Sequence, residues 1–409
     1  MRYAFLSICL ALPAADWTSW RGGSQMGQSG DPTLTAWTEK NILWRTPLPE
    51  SGNSTPIVVG NKVFVTQARR AAGQRLLLCF DRAAGKQLWQ AAVSYPDPEP
   101  THDTNPYASA SPVSDGNIVV VWFGSAGLHA YDLNGKQLWR RDLGVQKHTW
   151  GYGTSPVIHG DKVFLNFGPG ERSFFIAVNK ADGATLWRHE IPPGQGKPFA
   201  NWVPADMYGS WATPVVIRTP AREEVLLSLP GRISSYDPAS GKLFWTCRGL
   251  GDLVYPSPIY ADGVIFAASG FSGPALAVKP GGEGDVTASH RLWHRERGRQ
   301  WIGSGVITGG RIITIDTGGI AEAMDLKTGK VEWTARMAGK EGAGAVWSSP
   351  VLNGGKLYVF SQTGELFIAD AATGKVEHAR SVDERSNSSV AISNGDIFLR
   401  THAALYRLH

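Results

Sequence analysis

The chain has 409 residues, of which 42% are hydrophobic and 18% charged, with 48 glycines and 16 tryptophans. This is ample for a core and suits many short strands and turns, and no long segment carries helical periodicity. The formal net charge of +5 is modest, and its Lys and Arg are scattered without a basic block, which excludes a nucleic-acid-binding chain.

Residues 1–15 read as a secretory signal: Arg2, an apolar run from Ala4 to Leu12, then Pro13-Ala14-Ala15. Leu6-Ser7-Ile8-Cys9 departs from a bacterial lipid-attachment box, because Ile8 is bulky where a small residue is expected. No other stretch is long enough to span a membrane. The expected location is the periplasm or the exterior. Residues 16–41 form an arm, and Trp17, Trp20, Arg21, Gly22 and Trp37 make it apolar enough to dock, either supporting closure of the fold or covering one mouth of it.

Residues 42–409 repeat one pattern. Phe80-Asp81 runs to Gly85-Lys86 and Trp89; Tyr131-Asp132 to Gly135-Lys136 and Trp139; Val178-Asn179 to Gly183 and Trp187. Tyr236-Asp237 leads likewise to Trp245, Met324-Asp325 to Trp333, and Asp370 to Gly374-Lys375, where His378 takes the tryptophan place. Each copy is a hairpin: Asp or Asn bonds the backbone ahead, and Gly supplies a tight turn. Before each hairpin stands a Ser/Thr-Pro pair or its equivalent, then two β-rich runs joined by a Gly-Asn, Asp-Gly, Gly-Asp or Gly-Gly turn. One repeat is therefore four antiparallel strands, a to d. The spacing of roughly 40–60 residues is that of propeller blades.

Strand a starts near Thr55, Ser111, Ser155, Thr213, Ser257, Ser304, Ser349 and Ser389. The last repeat stops after strand c, Ala404-Leu405-Tyr406-Arg407, while Ile42-Leu43-Trp44-Arg45 is a strand d with no blade before it. A ring explains both facts. The expected fold is all-β, an eight-bladed propeller closed by its N-terminal strand, which leaves no open edge. Cys79 and Cys247 fall far apart around such a ring, which predicts buried free thiols.

The hairpin tryptophans fill the wedges between blades. The other aromatics are more informative: Trp150, Trp202, Trp211, Trp301, Trp347, Tyr107, Tyr152, Tyr208 and Tyr255 all precede a strand a. The long insertions, 91–109, 189–209 and 335–346, are d-to-a loops too. These loops share one face with the b-to-c loops, and loops on a rigid scaffold carry function. The predicted ligand or partner site is therefore this insertion face around the channel, with Tyr107, Trp150, Tyr152, Trp211, Tyr255, Trp301 and Trp347 as an aromatic wall and Asn105 and Arg172 as polar contacts. Such a mouth suits a flat or sugar-like ligand or an apolar peptide. No catalytic residue and no metal set is assigned: His102, Asn105, His148, Asp103 and Asp206 match no known metal spacing. No nucleophile-elbow serine is present.

Asp325-Leu326-Lys327-Thr328-Gly329-Lys330-Val331-Glu332-Trp333 resembles the tryptophan-docking repeat of the pyrroloquinoline-quinone (PQQ) type propellers, and the resemblance covers roughly residues 42–409. It implies the fold more than the function. The quinoprotein alcohol dehydrogenases of this family stack the cofactor on a Trp, hold calcium with acidic and amide ligands and carry an adjacent cysteine pair, which this chain lacks. The cofactor-free branch resembles the propeller of the outer-membrane assembly machinery. The expectation is an exported, non-catalytic, monomeric propeller without cofactor that binds an envelope or extracellular protein, a glycan or a small ligand. The alternative is a PQQ- and calcium-dependent oxidoreductase acting on alcohols or sugars. There Trp150, Trp211, Trp301 or Trp347 stacks on the quinone, Arg172 or Arg299 pairs a cofactor carboxylate, and Asp206, Asp252 or Asp316 is the base.

Overall fold

Eight four-stranded antiparallel blades surround a central channel. The structure is a computed structural model, and it describes residues 16–170, 172–192, 209–339 and 342–409. Blade 1 consists of Ile57–Val59, Lys62–Arg69, Gln74–Asp81 and Gln87–Ser94, strands a to d from the channel outward. Blades 2 to 7 begin at Val113, Val157, Val215, Ile259, Val306 and Val351. Blade 8 takes strands a to c from Ala391–Ser393, Asp396–Arg400 and Ala404–Leu408, and its outer strand from Ile42–Pro47. Trp44 stands opposite Arg407 in that last pair. Strands b and c read as unbroken apolar runs because both faces pack against neighbouring blades. Strand d alternates because it is the outer edge: Val63 to Ala68 are all buried, whereas Gln87–Ser94 is exposed at every second residue or more.

The hairpin tryptophans lock each blade to the next. Trp44 Nε1 donates to Arg82 O (2.9 Å), Trp89 to Leu133 O (3.2 Å), Trp139 to Lys180 O (2.7 Å), Trp187 to Pro238 O (3.2 Å) and Trp293 to Leu326 O (3.1 Å). The indole lies flat on the next turn, where only glycine fits: at Gly85 φ is 68° and a Cβ would stand 2.5 Å from Trp44. Three places depart from the rule. The Trp333 ring lies on Gly374, but its Nε1–H has no hydrogen-bond partner among the described residues. The c-to-d connection of blade 5 is an insertion, so Trp245 has no such turn to dock on. It is fully buried and donates to Glu224 Oε2 (2.8 Å), while Gly284–Asp285 pairs alongside it. Blade 7 carries His378 where the others carry Trp. There the arm supplies the indole: Trp37 is 2% exposed, its backbone N–H donates to His378 Nε2 (3.2 Å), and the Arg380 guanidinium lies 5.5 Å from its ring centre.

The Ser and Thr residues that open the blades form a closed hydrogen-bonded circle. Thr55 N–H donates to Ser111 Oγ (2.9 Å), Ser111 to Ser155 (2.9 Å), Ser155 to Thr213 (3.1 Å) and Thr213 to Ser257 (2.8 Å). Ser257 donates to Ser304 (2.8 Å), Ser304 to Ser349 (2.9 Å), Ser349 to Ser389 (2.9 Å), and Ser389 back to Thr55 (3.3 Å). At most of these places the next residue is proline, which has no N–H and so needs no further acceptor.

The arm threads across the inner strands at the opposite end from the long loops. Trp17 bridges Val58, Thr18 O accepts from Ser114 N (2.8 Å), Gln25 Oε1 from Val216 N (3.2 Å), and Gln28–Ser29 pairs with Leu352 and Asn353. Arg21 is 3% exposed and donates to Pro350 O (3.0 Å), Gly305 O (2.5 Å) and Met26 O (3.0 Å). Cys79 and Cys247 are buried free thiols. No helix among the described residues is long and apolar enough to cross a membrane.

Candidate functional site

The channel mouth on the long-loop face is a cup of about 350 Å³. Its size falls in the range of small-molecule sites. The d-to-a loops of consecutive blades bring Trp150, Trp211 and Tyr255 to one side of it. Trp150 and Trp211 have ring centres 6.0 Å apart, and Trp211 and Tyr255 4.8 Å apart. Trp211 is fixed by Nε1–H to Gly151 O (3.0 Å) and by its backbone N–H to Val254 O (2.8 Å). Asn105 holds the loop below Trp150, its Nδ2 donating to Trp150 O (2.6 Å) and Tyr152 O (3.0 Å). His148 stands edge-on to Trp211 at 4.8 Å and fixes the backbone of Trp150. Trp347, Gln300 and Ile302 also line the cup.

Of the nine residues predicted for the site, Asn105, Trp150, Trp211, Tyr255 and Trp347 line the cup. The other four stand elsewhere for physical reasons. Trp301 is fully buried, edge-on to Phe266 at 6.4 Å, between Gln300 and Ile302, which do face the lumen. Alternation along an extended loop thus turns the large apolar ring inward. Tyr152 is 3% exposed against Trp122 (4.8 Å), its hydroxyl donating to Tyr107 O (2.7 Å). Tyr107 lies under the Arg75 guanidinium (3.9 Å) and donates to Glu99 O (2.7 Å), beside the buried Arg75–Glu99 ion pair at 2.7 Å. Arg172 donates to Leu143 O (2.6 Å) and covers Phe167 and Phe174. Trp202, Tyr208 and Asp206 lie outside the described residues.

Two contributors come from places the sequence pattern does not mark. Phe271 sits in the b-to-c loop of blade 5, 5.6 Å from both Trp150 and Tyr255. It and Ser272 have φ of 48° and 60°, an arrangement that costs about 1–3 kcal/mol for a side-chain-bearing residue. Gly270 N to Leu253 O and Gly273 N to Gly270 O (2.9 Å each) hold the loop in it. The adjacent Gly-Phe-Ser-Gly run is the only signal for such a turn in the sequence. Trp20 of the arm floors the cup from the far end.

The cup is electrically bare. His102 is its one titratable side chain besides Tyr255; no Asp, Glu, Lys or Arg lines it among the described residues. Burial pushes the Tyr255 hydroxyl far above its ordinary range, and it has no hydrogen-bond partner among the described residues. Of the groups named above for a quinone, Arg172, Arg299, Asp252 and Asp316 are engaged away from the cup or stand apart from it, and Asp206 lies outside the described residues. Arg299 is shared between Asp316 (3.0 Å) and Glu322 (3.2 Å), and Asp316 also accepts from Gly318 N and Ile320 N. Asp252, its carboxyl pushed up by burial, does not line the cup. No group of three His, Cys, Asp or Glu that could hold a metal exists among the described residues. The aromatic wall suits a flat ring; the acidic calcium ligands and the base that a quinone-dependent dehydrogenase is expected to carry are not among the described residues that line the cup.

Comparison with known proteins places this architecture. A curated relative, the tetrathionate hydrolase of Acidithiobacillus ferrooxidans, is 23% identical over 385 residues, 88% of this chain; the chain spans 64% of that relative's length. Among solved structures, BamB from Moraxella catarrhalis superposes with a TM-score of 0.62 at 18% identity, over 90% of this chain and 97% of that one. The quinohemoprotein alcohol dehydrogenase from Comamonas testosteroni gives a TM-score of 0.72 at 14% identity, over 96% of this chain and 80% of the other. At these identities the likeness is one of fold. A family model described as "Outer membrane protein assembly factor BamB" matches residues 15–165, 72–209 and 176–409, and the chain therefore belongs to that family of PQQ-like propellers.

Proposed function

We propose that this chain is an exported, non-catalytic binding propeller, working as a monomer in the periplasm or outside the cell, whose cup takes a small flat ligand against Trp150, Trp211, Tyr255 and Phe271. The observation that carries this is a half-open aromatic cup of about 350 Å³ with no Asp, Glu, Lys or Arg in its wall among the described residues. General acid–base chemistry needs a titratable group within hydrogen-bond reach of the reacting atom; among the described wall residues only His102 and Tyr255 titrate, and this reading gives His102, whose Nδ1 lies 2.8 Å from Thr104 Oγ1, a loop-holding role. Asn105 is a positioning residue here, since both its donated bonds go to the loop backbone. The proposal includes no resident cofactor.

The test is tryptophan fluorescence of the chain from Asp16 onward, titrated with flat aromatic compounds and short glycans. Saturable quenching that is lost in Trp150→Ala and Trp211→Ala, with unfolding midpoints kept, supports the cup. Quenching that survives both substitutions counts against it. A parallel titration with PQQ, with and without calcium, addresses the oxidoreductase alternative; calcium-dependent saturation would overturn the cofactor-free reading. The tetrathionate hydrolase relative favours a second reading, hydrolysis of a sulfur oxyanion. Tetrathionate consumption above the blank rate would establish it and displace the non-catalytic proposal.

A further inference from the structure

The circle of hydroxyls at the base of the cup has protons to give. A hydroxyl carries one donor and two acceptor positions. In each of the eight ring residues an acceptor position takes the backbone N–H of the adjoining blade. No hydrogen bond uses any of the eight protons among the described residues, although all eight side chains are buried, from Thr55 at 1% exposure to Thr213 at 7%. Ser111, Ser155, Thr213, Ser349 and Ser389 line the cup. Their N–H acceptances fix the oxygens, which leaves the unspent protons free to turn to the lumen.

Two guanidiniums stand behind this circle without a carboxylate partner among the described residues. Arg21 contacts only carbonyls and lies 5.9 Å from the ring centre of Trp20, the cup floor. Arg400 is fully buried and bonds Ser54 and Gln67 Oε1 (2.8 Å), directly before Thr55 in the ring. The other buried arginine among the described residues, Arg75, is paired with Glu99 at 2.7 Å, and the partly buried Arg82 with Asp396 at 2.7 Å. A buried cation without a counter-charge is costly. Its field is weakly screened in a low-dielectric interior, and two such charges bias the lumen towards anions.

We propose that the cup is an anion site. It takes a flat apolar body bearing a tetrahedral oxyanion head, a sulfonate or a sulfate monoester. The head accepts from the hydroxyl circle, and the body lies against Trp150, Trp211 and Tyr255. Separate, single donors suit a head whose charge is spread over three oxygens. A planar carboxylate is matched best by a guanidinium fork, and neither Arg21 nor Arg400 lines the lumen. The inference rests on the cup reading above and adds the charge and shape of the ligand's polar end.

The experiment is isothermal titration calorimetry on the chain from Asp16 onward, at constant ionic strength, with 2-naphthalenesulfonate, 2-naphthoate and 2-naphthalenemethanol as probes. The sulfonate is expected to bind at least about tenfold tighter than the alcohol, the equivalent of about 1.4 kcal/mol, and tighter than the carboxylate. If the alcohol binds as tightly as the sulfonate, the anion inference is overturned and the aromatic cup stands. A carboxylate equal to the sulfonate overturns the tetrahedral head. If none of the three binds, the cup reading falls as well. Arg400→Met should lower sulfonate affinity about tenfold and leave the alcohol unchanged; a sulfonate affinity that stays the same removes the role given to Arg400. The wild-type comparison decides the main point even where that variant does not fold.

Discussion

Trp37→Ala tests whether the arm is part of the ring's core. In the other blades a strand-d tryptophan fills the wedge to the next blade; at the joint of blades 7 and 8 that position is His378, and Trp37 enters from the arm at 2% exposure. A buried tryptophan withdraws about 150–250 Å² from water, which is about 4–6 kcal/mol at 25 cal/mol/Å². Compactness of the unfolded chain lowers that figure, and the cavity left behind raises it, so the expected loss is about 3–5 kcal/mol. Urea unfolding followed by far-ultraviolet circular dichroism and by fluorescence gives the value where the two probes coincide. Trp20→Ala is the control, because Trp20 faces the cup and is only half-buried; its cost should be clearly smaller. A loss below about 1 kcal/mol for Trp37→Ala, or equal losses for the two variants, would refute the argument that the arm replaces the missing blade tryptophan.

Three further outcomes are expected. Ser349→Ala strands the buried Ser304 N–H and should cost about 1–3 kcal/mol in chemical unfolding; a cost near zero would mean that the circle closes through another acceptor. Hydrogen bonds from Thr328 and Thr373 hold the Asp325 and Asp370 carboxyls below their ordinary range. The unfolded chain then binds protons first as pH falls, so the stability they give is complete above about pH 4 and is lost below it. The melting temperature should fall with acid over that window, and less steeply in an Asp325→Asn, Asp370→Asn double variant; an equal slope counts against the assignment. Burial pushes the thiols of Cys79 and Cys247 up to about 12 and about 11. The folded chain from Asp16 onward should therefore not react with Ellman's reagent at pH 8, and should titrate both thiols in urea.

The blades were legible because each carries its own punctuation. A Ser or Thr opening strand a, a two-residue turn, an Asp and a Gly before a Trp are local signals, and the unmatched strand at Ile42 revealed closure without any long-range information. The face of the site followed from which loops are long. The membership of its wall did not follow. Trp301 and Trp150 occupy the same kind of loop, yet one turns into a blade and the other into the lumen, and a rotation of one residue separates the two outcomes. Phe271 was hidden because a left-handed phenylalanine is disfavoured, and its flanking glycines signal a turn without marking which residue between them faces the lumen. Trp20 was legible as part of an arm that could cover a mouth, but not as a wall residue, because the arm has no repeat to set its register. The Ser and Thr of strand a served as markers of position in the sequence, while their mutual hydrogen bonds needed all eight blades in place.

Closure by Ile42–Pro47 also sets an order of events for the polypeptide as it is made. That strand leaves the ribosome before the other blades, and its hydrogen-bonding partner, Ala404–Leu408, is synthesised after all of them. Until then one edge of the nascent ring lacks its neighbour, and an unpaired edge is a template for the wrong chain. The same delay holds for the arm, whose contacts at Gly395 and His378 arrive equally late. Seven blades can stack as they appear, but the ring, its hydroxyl circle and its floor come into being together, once the strand Ala404–Leu408 has been made. A cell making this protein therefore has to keep the early segment from pairing elsewhere for the whole time of synthesis, a demand that an open row of blades would not impose.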